Sequence, residues 1–145
     1  MDHILTITML GTGNALATRC YNTCGFTALL PDGQRLCCLG DEPFNPLCRQ
    51  YAEGADWLMS EAFCLYEDRD RFKPYEKHHS TVLDAARLAE RLHVRNLILY
   101  HTEDRTLETR KQRYTAEAET TFGGRVWVPD DLESILMNTS ATKSD

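Results

Sequence analysis

Residues 79–101, HSTVLDAARLAERLHVRNLILYH, decide how this chain is read. Ser80 or Thr81 can cap a helix, Asp84 falls in its first turn, and Val82, Ala85, Ala86, Ala89 and Leu92 recur at helical spacing, so one face of the helix is core. Residues 94–100 follow as a strand short and apolar enough to be central in a sheet. A helix feeding directly into a buried strand implies α/β layering. The stretch is bracketed by two histidines, His79 before the helix and His101 after the strand. Strand ends are where α/β proteins assemble their sites.

Working toward the N-terminus, residues 56–63 read as another largely buried strand, with the acidic Glu61 conspicuous near its end. Residues 26–30 and 35–39 are apolar runs joined by Pro31-Asp32-Gly33, which suits an antiparallel hairpin. Gly40-Asp41-Glu42-Pro43 stops the second of them, and residues 45–53 can form a short helix before Gly54. Residues 4–10 make a first strand that halts at Gly11-Thr12-Gly13. Those glycines lack the Lys-Ser/Thr of a P-loop and the third glycine of a dinucleotide fingerprint, so neither is assigned. Toward the C-terminus, a helix over 107–122 carries a narrow stripe of Leu107, Tyr114, Ala118 and Phe122 and is stopped by Gly123-Gly124. A short strand over 125–128 follows. Pro129-Asp130-Asp131 is expected to open a last helical turn or two, and 138–145 to be a frayed, flexible tail.

The 145 residues suit one domain of about 100 to 150 residues. Sixteen Lys and Arg against 22 Asp and Glu leave a net charge of −6, which argues against a general polyanion binder. No apolar run approaches the roughly 18 residues of a membrane span, and no secretory leader is read, so a soluble, cytoplasmic protein with no membrane partner is expected. Six cysteines could make three disulfides. However, Cys37 and Cys38 are adjacent and lie, like Cys64, in strand-like text, so they are read as buried thiols. The spacing of Cys20 and Cys24 could serve zinc, but no matching Cys or His pair follows. Residues 66–79 are dense in charge and expected to form an exposed loop. Its Arg69, Arg71, Lys73 and Lys77, interleaved with Phe72 and Tyr75, can bind RNA through phosphate contacts and stacking. Glu67, Asp68, Asp70 and Glu76 dilute that signal, and a solvated loop is the preferred reading.

Asp41 and His101 each follow a strand, and carboxylate with imidazole at such points suits a divalent metal such as zinc. Leu10-Gly11-Thr12-Gly13-Asn14-Ala15, Gly40-Asp41-Glu42-Pro43, Ser60-Glu61-Ala62-Phe63, His79-Ser80-Thr81 and Leu99-Tyr100-His101-Thr102, in that order, resemble the metallo-β-lactamase fold superfamily, specifically its ribonuclease Z-like branch. The resemblance implies that Asp41 bridges two metal ions and that His101 ligates one of them. It also implies that His79 approaches the scissile phosphate as a catalytic group. Glu61 resembles the acidic member of the family's His-Glu-Ala-Thr segment, with Ser60 where that segment has histidine. Zinc or manganese is the implied cofactor.

The family's His-x-His-x-Asp-His signature, which supplies most of the ligands, has no counterpart here. The text instead passes from Tyr21-Asn22-Thr23-Cys24, which resembles the start of the family's N-terminal half, to Gly25-Phe26-Thr27-Ala28, which resembles the start of its C-terminal half. An internal deletion with its seam near Cys24-Gly25 is inferred. The expected fold is therefore an α/β truncated metallo-β-lactamase-like half-fold, a mixed β-sheet with helices on one face. Residues 1–137 form its single domain, 1–24 being an N-terminal remnant and 25–137 the C-terminal half. The bare sheet face is expected to be covered by a homodimer that rebuilds an αββα sandwich. One aspartate and one histidine cannot hold a dinuclear centre, so a single chain is expected to be an inactive or impaired phosphodiester hydrolase. The alternative is a non-catalytic, homodimeric interaction module.

Overall fold

The computed structural model of the chain describes residues 4–14, 16 and 23–137. The expected tail at 138–145, the inferred seam's upstream flank at Tyr21 and Asn22, and Cys20 lie outside the described residues. Six strands form one sheet in chain order: β1 (Thr6–Met9), β2 (Phe26–Leu29), β3 (Arg35–Cys38), β4 (Trp57–Glu61), β5 (Asn96–Tyr100) and β6 (Arg125–Trp127). β1, β2 and β3 pair antiparallel, whereas β3 through β6 run parallel. The helices are α1 (Arg49–Ala52), α2 (Arg69–Phe72), α3 (Val82–Arg91) and α4 (Leu107–Glu119).

Register sorts the side chains into two layers. Cys37, Leu58, Leu97 and Val126 stand opposite one another on neighbouring strands and meet the helices. Ala52 of α1, Val82, Ala85, Ala86 and Ala89 of α3, and Tyr114 and Ala118 of α4 complete that core. The alternate row, Cys38, Met59, Ile98 and Trp127, faces away from the helices, as period-2 geometry requires. Ile135 and Met137 pack on this far side, but Ile7 and Met9 remain more than half exposed. The mixed sheet with helices on one face is thus the expected half-fold architecture.

α3 starts where the sequence placed it. Thr81 accepts from the Asp84 backbone N–H at 3.3 Å while the Asp84 carboxylate accepts from the Thr81 N–H at 3.0 Å, a reciprocal capping box. Other expectations are corrected. Residues 66–79 are not simply an exposed loop: α2 and flanking 3-10 turns fold there, with Phe72 and Pro74 buried. Phe72 meets Phe63 edge-on at 6.5 Å, so an apolar anchor hides within the charge. After Pro129 the chain makes a single turn, Glu133 N donating to the Asp130 carbonyl at 3.1 Å, and goes no further as helix; Asp130 pairs with Arg110 at 3.1 Å and Lys111 at 3.3 Å. α4 also ends at Glu119, before the Gly123-Gly124 pair. Leu107, expected on its buried stripe, is exposed, and Arg110 is buried in the helix instead. Arg110 donates to Thr102 Oγ1 at 2.8 Å and to the Pro129 carbonyl at 3.2 Å, which offsets part of the cost of burying its charge.

Cys37, Cys38 and Cys64 are buried free thiols, as expected. Burial, the first cause in each case, pushes Cys37 and Cys64 up to about 12. Among the described residues, no helix is long and apolar enough to cross a membrane.

Candidate metal and catalytic site

Because β3, β4 and β5 are parallel, their C-terminal ends open at one edge, and the chain delivers Asp41, Glu61 and His101 there together. The turn into α3 brings His79 to the same place, where Cys64 bridges Thr81 and the Phe63 N–H donates to the Ser80 carbonyl at 2.9 Å. All four residues singled out from the sequence therefore converge. His101 Nε2 lies 3.1 Å from Asp41 Oδ1, and His79 Nδ1 lies 3.8 Å from the same oxygen. The two imidazole rings are 4.6 Å apart. One donor atom from each of Asp41, His79 and His101 falls within 4.8 Å of the others.

Glu61 stands behind this trio and is almost wholly buried. Its Oε1 accepts from the Ser80 N–H and the Ser80 hydroxyl, each at 2.7 Å, and its Oε2 lies 3.0 Å from His79 Nδ1. Burial raises the Glu61 carboxyl above the usual carboxylate range, against the lowering effect of the two Ser80 bonds. Burial likewise lowers His79, while the nearby Asp41 carboxylate opposes that shift. His79 is not the solvent-facing residue that a bare helix cap would leave: its side chain is 16% exposed, and its ring stacks on Phe63 at 5.3 Å and 17°.

The loop carrying Asp41 is held from two sides. Gly40 sits at φ +84° where the Thr23 carbonyl occupies the space a Cβ would need, and Asp41 N donates to that carbonyl at 2.9 Å. From β5, the Tyr100 hydroxyl donates to the Gly40 carbonyl. Tyr100 and Phe63 are thus supporting residues that sequence reasoning did not single out, and Ser80, read there as a candidate cap, donates instead to Glu61. Their proximity to Glu61, His79 and His101 in the motifs was the available signal. Pairing across 60 positions was not.

The donor set can be tested against a metal on its own geometry. Asp41 Oδ1, His79 Nδ1 and Glu61 Oε2 are buried polar atoms with no well-formed hydrogen-bond partner. Buried acceptors are rarely left so unless an ion or water completes them. Two imidazoles and one carboxylate match a catalytic zinc site, which uses three protein ligands and keeps a fourth position open. They do not match the ligand count of a metal pair. The residues present therefore fit one divalent cation.

No family model matches the chain. It is 37% identical over 105 residues to ribonuclease Z of Nocardia farcinica, covering 71% of this chain and 32% of that protein. To ribonuclease Z of Pyrobaculum neutrophilum it is 34% identical over 105 residues, covering 72% and 36%. Among solved structures it resembles the metallo-β-lactamase fold protein YhfI of Bacillus subtilis, with a TM-score of 0.62 and 24% identity over 86% of this chain and 46% of that one. The short form of human tRNase Z gives a TM-score of 0.58 and 24% identity over 79% and 37%. The chain spans about a third of the length of the curated relatives it matches.

Proposed function

From the premise that this chain is a ribonuclease Z-like member of the metallo-β-lactamase superfamily, we propose that it is a metal-dependent hydrolase relative acting on phosphodiesters or related esters. Its site is reduced to a single divalent cation, zinc or manganese, and hydrolysis by one chain is impaired accordingly. The observation that carries the reading is the convergence of Asp41, His79 and His101 donors within 4.8 Å. Asp41 and His101 would hold the cation, with His79 as the third donor or as the group that meets the substrate.

When bound, such an ion supplies charge against the ester oxygens and acidifies bound water. The chain's own residues supply the rest. Among the described residues, Asp41 brings the only carboxylate that faces both imidazoles at ion-pair distance, within 3.1 Å and 3.8 Å. Glu61 Oε2 lies 3.0 Å from His79 Nδ1 and positions that side of the imidazole. Phe63 packs on the other side of the ring and excludes water from it.

Metal analysis and isothermal titration with zinc and manganese, paired with hydrolysis of bis(p-nitrophenyl) phosphate, test the proposal. One equivalent of metal and weak hydrolysis, both lost in His101→Ala with the fold retained, are expected. Stoichiometric metal without hydrolysis would leave the non-catalytic interaction module. Activity that survives His101→Ala would refute this site.

A further inference from the structure

His101 reaches the site on a left-handed backbone. Its φ is +56°, in a region that a residue other than glycine keeps only where its surroundings hold it there. The residues on either side are fixed by the main chain. The Tyr100 carbonyl accepts from the Ala62 N–H at 2.9 Å, and the Glu103 N–H donates to the Phe63 carbonyl at 2.8 Å. Between those two anchors, Thr102 is held through its side chain, whose Oγ1 accepts from Arg110 Nη1 at 2.8 Å. The hold on the residue next to His101 therefore comes from α4.

Burial alone does not suit Arg110 to this place. Its side chain is 9% exposed, and its Nε is buried without a hydrogen-bond partner. Nη2 donates to the Pro129 carbonyl at 3.2 Å and to Asp130 Oδ1 at 3.1 Å, but the Asp130 side chain is 60% exposed and shares its charge with water. A guanidinium buried on such terms adds little to stability, and an apolar side chain of similar volume commonly serves as well or better. What the guanidinium offers instead is direction. Its planar fork fixes Nη1 relative to Nη2, so the grip on the Pro129 carbonyl sets where Nη1 meets Thr102. α4 is itself registered on the site: the wholly buried Tyr114 donates its hydroxyl to the Phe63 carbonyl at 3.1 Å, the same carbonyl that takes the Glu103 N–H.

We propose that Arg110 is a positioning residue for the metal site. By gripping Thr102 it keeps His101 left-handed, and so keeps His101 Nε2 beside the Asp41 oxygen that lies 3.1 Å away. The ligand rests on the metal reading above; the grip on the His101 backbone rests on the Arg110 contacts and can be read without metal.

Two variants cut the link from opposite ends. Arg110→Met removes the donors and keeps an unbranched chain, and Thr102→Val removes the acceptor and keeps the branched shape. In the metal-free protein, the α-carbon chemical shift of His101, which follows its backbone angles, is expected to move in both. It should stay in Lys111→Met, because the Lys111 ammonium pairs with Asp130 and Glu133 instead. Zinc titration should show each of the two variants binding roughly 10-fold more weakly than the parent. The double variant should bind no more weakly than either single one, since both break one contact, and Arg110→Lys should fall between the parent and Arg110→Met. A purely structural Arg110 would lower urea stability while leaving the His101 shift and the zinc affinity of the folded protein unchanged, and that result would overturn the proposal. An equal loss of zinc affinity in Lys111→Met would overturn it as well. Should Arg110→Met not fold, Thr102→Val, which leaves the guanidinium in place, must show both effects or the proposal falls. A parent protein that binds no zinc would overturn the metal reading alone, because the His101 shift still decides the grip of Arg110.

Discussion

Gly40→Ala isolates how the fold aims Asp41. A Cβ at Gly40 would lie 1.9 Å from the Thr23 carbonyl oxygen and 2.8 Å from the Gly25 nitrogen, where real contacts do not fall below 3.0 Å. Thr23 must therefore retreat by 3.0 − 1.9 = 1.1 Å, which breaks the 2.9 Å hydrogen bond from Asp41 N. Holding an L-residue at positive φ costs roughly 1–2 kcal/mol, and the lost bond costs about 1 kcal/mol net. The sum is about 2–3 kcal/mol. Gly33→Ala provides the control, because Gly33 has φ +88° but nothing within 4 Å of its added Cβ. It carries the backbone cost alone. Urea denaturation should place Gly40→Ala below Gly33→Ala in stability by about 1 kcal/mol or more. Zinc titration should show weaker binding only for Gly40→Ala, whose displaced loop carries Asp41. Equal stability losses and equal metal affinities in the two variants would refute the reasoning.

Further predictions address the rest of the molecule. Removing Glu61 as Glu61→Ala strands the Ser80 N–H and opens a buried gap, so a loss of about 2–5 kcal/mol is expected. Glu61→Gln, which keeps an acceptor for Ser80, should cost less than half as much in the same denaturation assay. Lys111, first among the causes, holds Asp130 and Glu133 below their usual carboxylate ranges. A depressed acid stabilises the fold above its unfolded value and loses that contribution as pH falls through the folded value. Hydrogen exchange over 129–137 should accordingly quicken as pH is taken from about 5 to about 3, after correction for intrinsic rates. Exchange insensitive to this change would rule out the ion pairs as the anchor. The far sheet face, with Ile7 and Met9 exposed beside Phe26 and Met59, is proposed to be covered by a second copy about a twofold axis. Sedimentation at micromolar concentration should give twice the chain mass and Ile7→Asp should return one; a parent protein already monomeric there would refute the dimer.

Local text carried much of the fold. The helix at 82–91 was legible because its capping residues and apolar spacing agree, and the strands at 57–61 and 96–100 because buried parallel strands are nearly unbroken apolar runs. The segment at 66–77 was misread because charge density outweighs one buried Phe72 and one buried Pro74 in any local count. The helical turn expected after Pro129 stops at one hydrogen bond, and the pairing of Asp130 with Arg110 and Lys111 on α4 is invisible along the chain.

The same division holds at the site. Asp41, Glu61, His79 and His101 were legible as site candidates because each sits in a short motif at the end of a strand or the start of a helix. The lack of a His-x-His-x-Asp-His string is legible in the same way, since a motif is read without coordinates. Folding alone brings His79 and His101 to one Asp41 oxygen, buries Glu61 behind His79, and sets Arg105 across one groove from Arg71 and Lys77. These are pairings between residues tens of positions apart. They arise from the parallel register of β3, β4 and β5, which brings three loop ends to one edge, and register is a property of strands together rather than of any one of them.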